Sequence, residues 1–217
     1  MKLWEQQAHC IQQALADTTL VELDELLIPR DHNNLLVRKM KPEPGVIPRK
    51  SATLILLYPQ DDELWFPLTA RSNRLPQHRG EVSLPGGAAD AEDDGPIGTA
   101  LRETHEELGI PPETIEIWGH LTKVYIPPSN FHLKPIVGFT PDLPHFKPNE
   151  FEIAEAFSVP LRTLLDPATI VVEEWTIRGT PTCIPFFALN GYKVWGATAL
   201  VLSELVAKIK RVMAGGA

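Results

Sequence analysis

The chain has 217 residues, 43% of them apolar and 22% charged, the composition of a soluble globular protein and not of a disordered or collagen-like one. At that length roughly 70% of the unfolded surface can be hidden, so a single domain can hold a core without disulfide or metal staples. Lys and Arg number 20 against 28 Asp and Glu, and the resulting net charge of −8 argues against a general nucleic-acid binder.

In chain order, Trp4, Ala8, Ile11 and Leu15 recur at i, i+4, i+7 and i+11, an amphipathic helix that should pack on the main body. Residues 29–48 carry Pro42, Pro44, Gly45 and several charges without periodicity and read as a connecting arm. The predicted organisation is therefore a helix and arm over residues 1–48 and a main domain over 49–213. Residues 52–58 and 64–69 are β-rich runs separated by Pro59-Gln60-Asp61-Asp62, which predicts a hairpin of two core strands. A Gly/Pro-rich loop leads into a helix ending at Gly109. Further strands are predicted over 115–124, 133–139, 171–177 and 184–189, and a helix over 195–213 offers Leu200, Leu202, Leu205 and Ile209 to the core. Strands with helices around them make an α/β or α+β sandwich with a mixed sheet. Cys10 and Cys183 are too few for a disulfide framework or a structural zinc site and read as small thiols in a reducing compartment. No run approaches ~18 apolar residues and the start soon turns polar, so a cytoplasmic protein without a membrane partner is expected.

Residues 84–110 carry the chemistry. Asp93 or Asp94 before Gly95-Pro96 offers a side-chain acceptor for a helix start, and Gly109 offers the left-handed stop. Ile97, Leu101, Thr104 and Leu108 share one helical face, while Glu103, Glu106 and Glu107 gather on a different, nearly opposite one. Three carboxylates so placed repel one another unless a cation covers them, and hard oxygen donors select Mg²⁺ or Mn²⁺ over zinc. Upstream, Arg71, Arg74 and Arg79 lie in a stretch without acids, and arginine's planar fork suits phosphate. A basic strip beside an acidic one can hold a phosphorylated ligand at one end and its metal at the other.

This segment resembles the Nudix box, G-x5-E-x7-R-E-U-x-E-E-x-G-U with U aliphatic, the mark of Mg²⁺-dependent diphosphate hydrolases. Arg102-Glu103, Glu106-Glu107, Gly109 and Ile110 match at the family's spacing. Thr104 replaces an aliphatic residue, and Gly87 precedes Arg102 by 15 positions where the motif has 14, with Asp93 or Asp94 in place of the first Glu. Leu68-Thr69-Ala70-Arg71-Ser72 and residues 80–87 resemble the second signature of the coenzyme A pyrophosphatase branch, with Pro76 at the place of its second arginine; Arg74, His78 or Arg79 could then take the basic role. Tyr125 to Phe131, Pro160-Leu161 and residues 195–199 also have the look of that branch.

The resemblance implies a Nudix-type α/β/α sandwich and hydrolysis of a nucleoside-linked diphosphate, with coenzyme A or an acyl derivative giving 3′,5′-ADP and a 4′-phosphopantetheine. It implies Glu103 and Glu107 as principal metal ligands and Glu106 as a third ligand or water-positioning group. Arg102 would orient a carboxylate, Gly86 and Gly87 would let backbone approach the ligand, and Arg71, Arg74 and Arg79 would bind substrate. Glu150, Glu152 and Glu155 are candidates for a general base, Glu152 first. Two alternatives stay open: another diphosphate such as ADP-ribose, NADH or a nucleoside triphosphate, and a nucleotide sensor that does not cleave. A homodimer also stays open. His78, His105 and His132 read as surface or packing residues.

Overall fold

The computed structural model describes residues 1–72, 81–177 and 179–215. Arg74, His78 and Arg79, with Pro76, lie outside these residues. Helix α1 (Leu3–Ala16) buries Ala8, Ile11 and Ala14, as its periodicity predicts. Strands β1 (Arg49–Gln60) and β2 (Glu63–Arg71) form the predicted hairpin, closed by Asp61 and Asp62, both at positive φ, the signature of a two-residue type I′ turn.

Strand β1 is the axis of the sheet. It runs parallel to β7 (Phe131–Phe139) over nine pairs. Its other edge is divided: residues 51–53 pair with β4 (Gly86–Ala88) and residues 58–60 with β2. The sheet thus forks, and β2 carries β3 (Val82–Ser83) and β8 (Ile153–Pro160) away from β1. On the far side β7 receives β5 (Glu116–His120) and β6 (Val124–Ile126). The single strand predicted over 115–124 is broken because Thr122 turns away: its N–H and hydroxyl donate to the Glu204 carboxylate at 3.0 and 2.7 Å. A second sheet joins β9 (Ile170–Ile177), β10 (Thr180–Leu189) and β11 (Tyr192–Val194).

Period-two alternation along β1 sorts the core into two layers. Ala52, Leu54 and Leu56 meet helix α2 (Gly95–Leu108) through Ala100 and Leu108; Ile55 and Leu57 face the other way, onto the core shared by α1 and α4 (Gly196–Gly215). This is the predicted α/β/α sandwich. Strand β8 and the short helix α3 (Leu161–Leu165) were not predicted. In β8, Ile153, Phe157 and Val159 are buried at alternate positions, but the exposed Glu155 interrupts the pattern that would announce a strand.

Candidate active site

Helix α2 ends as its sequence predicts, with Gly109 at φ 70. Its start differs from expectation. Asp94 stands at the N-cap but its side chain caps nothing, and Asp93 accepts from Thr99 Oγ1 at 2.8 Å and from Arg102 Nε at 2.8 Å. Asp93 is thus the acid that braces loop to helix, and the extra residue in the loop is absorbed ahead of Arg102. That guanidinium also donates to Ala88 O at 2.9 Å, Glu103 Oε1 at 3.0 Å and Glu106 Oε2 at 3.1 Å. Arg102 therefore orients carboxylates from within the loop. Asp93 above all holds it charged, and Arg102 in turn holds Asp93 well below the usual carboxylate range.

The buried arc of α2, which includes Thr99, is turned about 60° from the expected one, at 100° per residue. Ala100, Thr104, Glu107 and Leu108 are buried, whereas Ile97 is 42% exposed. Thr104 fits where an aliphatic residue is usual because its hydroxyl donates to Ala100 O at 2.7 Å. The three acids consequently occupy three environments. Glu106 points outward, its side chain 55% exposed; Glu103 is mostly covered at 16%; Glu107 is buried at 4%. Among the described residues no three His, Cys, Asp or Glu side chains are gathered into a closed metal cluster.

Two glycines create the space these acids use. A Cβ on Gly87 would lie inside the Glu103 carboxylate, and one on Gly86 inside the β1 backbone at Ala52 and Thr53. The Gly86 N–H donates to Glu107 Oε2 at 3.2 Å, the one hydrogen bond this carboxylate receives among the described residues. Burial, reinforced by the charges of Glu103 and Glu152, pushes the Glu107 carboxyl up to about 8 against these two favourable neighbours, Gly86 N–H and Arg71. Burial also pushes Glu103 up, opposed by Arg102 and assisted by Glu106 and Glu152.

Glu152 reaches this group from 45 residues downstream because its loop is tied at both ends. Lys147 N and Asn149 N donate to Leu108 O and Glu107 O at 2.8 and 3.0 Å, satisfying carbonyls at the end of α2, and Ser72 N donates to Glu152 O at 2.8 Å. Glu155 instead accepts from Tyr192 Oη at 2.5 Å, and Glu150 is exposed. Arg71 arrives through a break in register between Ala70 and Arg71, which re-aims the end of β2; among the described residues its buried Nε has no hydrogen-bond partner. The structure therefore brings together Glu103, Glu107, Glu152, Arg71 and Gly87, with Glu106 at the rim.

The donor set fits a hard divalent cation. Glu107 and Glu103 are acceptor-only oxygens partly stripped of water; the charge of Glu103 weighs on Glu107, and those of Glu106 and Glu152 weigh on Glu103, with an N–H and guanidinium groups insufficient to offset burial. Glu103 and Glu107 could hold such an ion, with Glu106 and Glu152 as further carboxylates whose charges act on this pair. Sequence reasoning missed the brace by Asp93 in particular and the pinned loop that delivers Glu152, since neither leaves a local spacing signal.

The model of the NUDIX domain matches residues 48–176. An uncharacterized Nudix hydrolase NudL of Enterobacter sp. (strain 638) is 34% identical over 164 residues, covering 76% of this chain and 85% of its own. The protein of the same description from Salmonella paratyphi B is 33% identical over 195 residues, 89% and 97% of the two chains. A solved Ap4A hydrolase binary complex from C. elegans shares the fold at 18% identity, with a TM-score of 0.51 over 77% of this chain and 98% of that one. The chain belongs to the Nudix hydrolase family.

Proposed function

We propose that this Nudix hydrolase cleaves the diphosphate of coenzyme A or an acyl-coenzyme A, releasing 3′,5′-ADP and a 4′-phosphopantetheine. The observation that carries a diphosphate-cleaving site is the buried Glu107–Glu103 pair, ionised only at a cost until a cation arrives, set against Arg71 and the side-chain-free Gly87. What favours coenzyme A is that Arg71, from the Leu68–Ser72 signature, lies beside Glu107 on the α2 side of the sheet. Family members generally use Mg²⁺ or Mn²⁺. Such an ion, when bound, offsets phosphoryl charge and acidifies a water.

The chain's own groups do the rest. Glu103 and Glu107 hold the cation, and Arg102, fixed by Asp93, keeps Glu103 turned toward Gly87. Arg71, beside Glu107, binds a phosphoryl oxygen next to the acids. Glu152, delivered by the loop tied to the end of α2, takes a proton from the attacking water at a carboxylate oxygen. Arg74 and Arg79, in the same acid-free stretch of the sequence, are further candidates for binding substrate.

A substrate panel with Mg²⁺ or Mn²⁺ tests the reading. Coenzyme A should be turned over with 3′,5′-ADP as product; failure on coenzyme A with turnover of ADP-ribose or NADH would reject that substrate and leave the hydrolase. Pro76, at the place of the branch's second arginine, favours this second reading. No turnover of any diphosphate would favour a nucleotide sensor.

A further inference from the structure

Strand β4 meets the buried acid of α2 through one atom, the Gly86 nitrogen, whose N–H donates to Glu107 Oε2 at 3.2 Å. That N–H belongs to the Pro85–Gly86 peptide, which is planar and trans, so the Pro85 carbonyl points the opposite way. On that side Pro85 O accepts two hydrogen bonds from β1, from Leu54 N at 2.9 Å and from Thr53 Oγ1 at 2.7 Å. A single rigid plane therefore carries Thr53 at one edge and Glu107 at the other. By the period of two along β1, Thr53 shares the face of Ile55 and Leu57, while α2 packs on the face of Ala52 and Leu54. Thr53 acts on Glu107 from the opposite face of the sheet.

The plane turns only about its two flanking bonds, Cα–C of Pro85 and N–Cα of Gly86. Gly86 stands opposite Thr53 in the ladder, at φ 153, and has no side chain to resist that turn. None fits there, because a Cβ would strike Ala52 O and the Thr53 backbone. The close approach to β1 thus removes the ordinary steric restraint on this peptide, and the two bonds to Pro85 O take its place. A half-turn would break both of them and aim the Pro85 oxygen at the Glu107 carboxylate, acceptor against acceptor. The Leu54 N–H is a ladder donor that almost any residue there would supply. The hydroxyl is the contribution of Thr53 alone, a side chain 5% exposed.

We propose that Thr53 is a positioning residue for the metal site: its grip on Pro85 O keeps the Gly86 N–H on Glu107 Oε2 and leaves Oε1 for the cation. The inference rests on the reading that Glu107 holds a divalent ion, and not on which diphosphate is cleaved. Without the hydroxyl, Pro85 O keeps only its Leu54 bond. The peptide, and Glu107 with it, then gains freedom that cation binding has to remove, so metal affinity falls while substrate affinity at saturating metal does not. One hydrogen bond of ordinary net strength corresponds to about fivefold.

The test is done on the full chain. Thr53→Val keeps the shape and removes the hydroxyl; Thr53→Ser keeps the hydroxyl. Hydrogen exchange of the Gly86 amide in metal-free protein, followed by NMR, should be about fivefold faster in Thr53→Val and parental in Thr53→Ser. Calorimetry should show Mn²⁺ bound about fivefold more weakly by Thr53→Val and with parental affinity by Thr53→Ser. On whichever diphosphate the chain hydrolyses, Thr53→Val should need about fivefold more Mn²⁺ for half its maximal rate, with KM for the diphosphate unchanged at saturating Mn²⁺. A residue that only supports the fold would lower the melting temperature and move none of these. Parental Mn²⁺ affinity in Thr53→Val overturns the inference and leaves the metal reading standing, whatever the amide does. A Thr53→Ser variant as weak as Thr53→Val overturns it too, since the hydroxyl would not be the cause. A parent that binds no Mn²⁺ removes the metal reading, and the inference falls with it. Should Thr53→Val not fold, Thr53→Ala, measured below its melting temperature, must show the same two losses, and parental values overturn the proposal.

Discussion

Glu204 and Glu107 are each 4% exposed, on helices packed against opposite faces of the same sheet. Glu204 accepts from Thr122 N and Thr122 Oγ1, and one turn along α4 the buried Lys208 donates to Asp17 O at 2.6 Å and Thr19 O at 3.2 Å. Glu107 receives one N–H at 3.2 Å and lies beside two further carboxylates. Buried charge on α4 is satisfied and serves architecture: it fixes the break between β5 and β6 and ties the chain after α1. Buried charge on α2 is left incomplete, and incompleteness at that depth persists only where something else completes it.

The largest expected effect comes from exchanging the two roles. Glu107→Gln should reduce kcat by about a hundredfold to a thousandfold, as loss of one buried group acting directly at the reaction centre does, yet the metal-free protein should melt a few degrees higher at pH 8. Glu204→Gln should do the reverse, melting several degrees lower through a buried partner lost, with kcat per folded molecule unchanged. If both variants lose stability and keep activity, the contrast between the helices is void.

Next in size is the brace. Asp93→Asn frees Arg102 to close on Glu103, and a loss of about ten- to a hundredfold in kcat is expected, with weaker metal binding; steady-state kinetics across metal concentrations separates the two. Glu152→Gln should cost at least about tenfold in rate, and a smaller loss removes it as a base.

Much of this was legible in the sequence because it is local. The buried stripe of α1, the glycine stop of α2, the β1–β2 hairpin and the carboxylate spacing follow from periodicity, glycine and paired acidic turn residues within a few positions of one another. What was not legible depends on distant partners. The rotation of α2 that buries Glu107 and exposes Ile97 is set by where β4 and the 147–152 loop press on it. The broken strand at Thr122 answers to Glu204, 82 residues away. Asp93 and Asp94 look alike as caps, and only the position of Arg102 decides which one is used.

Acid–base behaviour sharpens the comparison more gently. Glu107 is raised from 4.5 to about 8 by burial, so the folded metal-free state keeps a proton that the unfolded chain has already lost. Its contribution to stability is fully present below about 4.5 and disappears as pH rises toward about 8. Melting temperature of the metal-free parent relative to Glu107→Gln should therefore fall across that window, whereas a flat difference would mean Glu107 is ionised throughout. The smallest effect belongs to Thr104→Val, which gives up a hydroxyl bonded within its own helix and should shift stability by less than about 1 kcal/mol, without a change in kcat, in chemical denaturation and rate assays.

Proton release on metal binding probes the buried pair most directly. Titrating Mn²⁺ into the chain at pH 7 by calorimetry, in buffers of different ionisation enthalpy, counts the protons displaced. With the Glu107 carboxyl at about 8, binding should expel close to one proton, about 0.9, and Glu107→Gln should expel almost none. Binding that expels no proton, or the same number from both proteins, would contradict a cation held by Glu107.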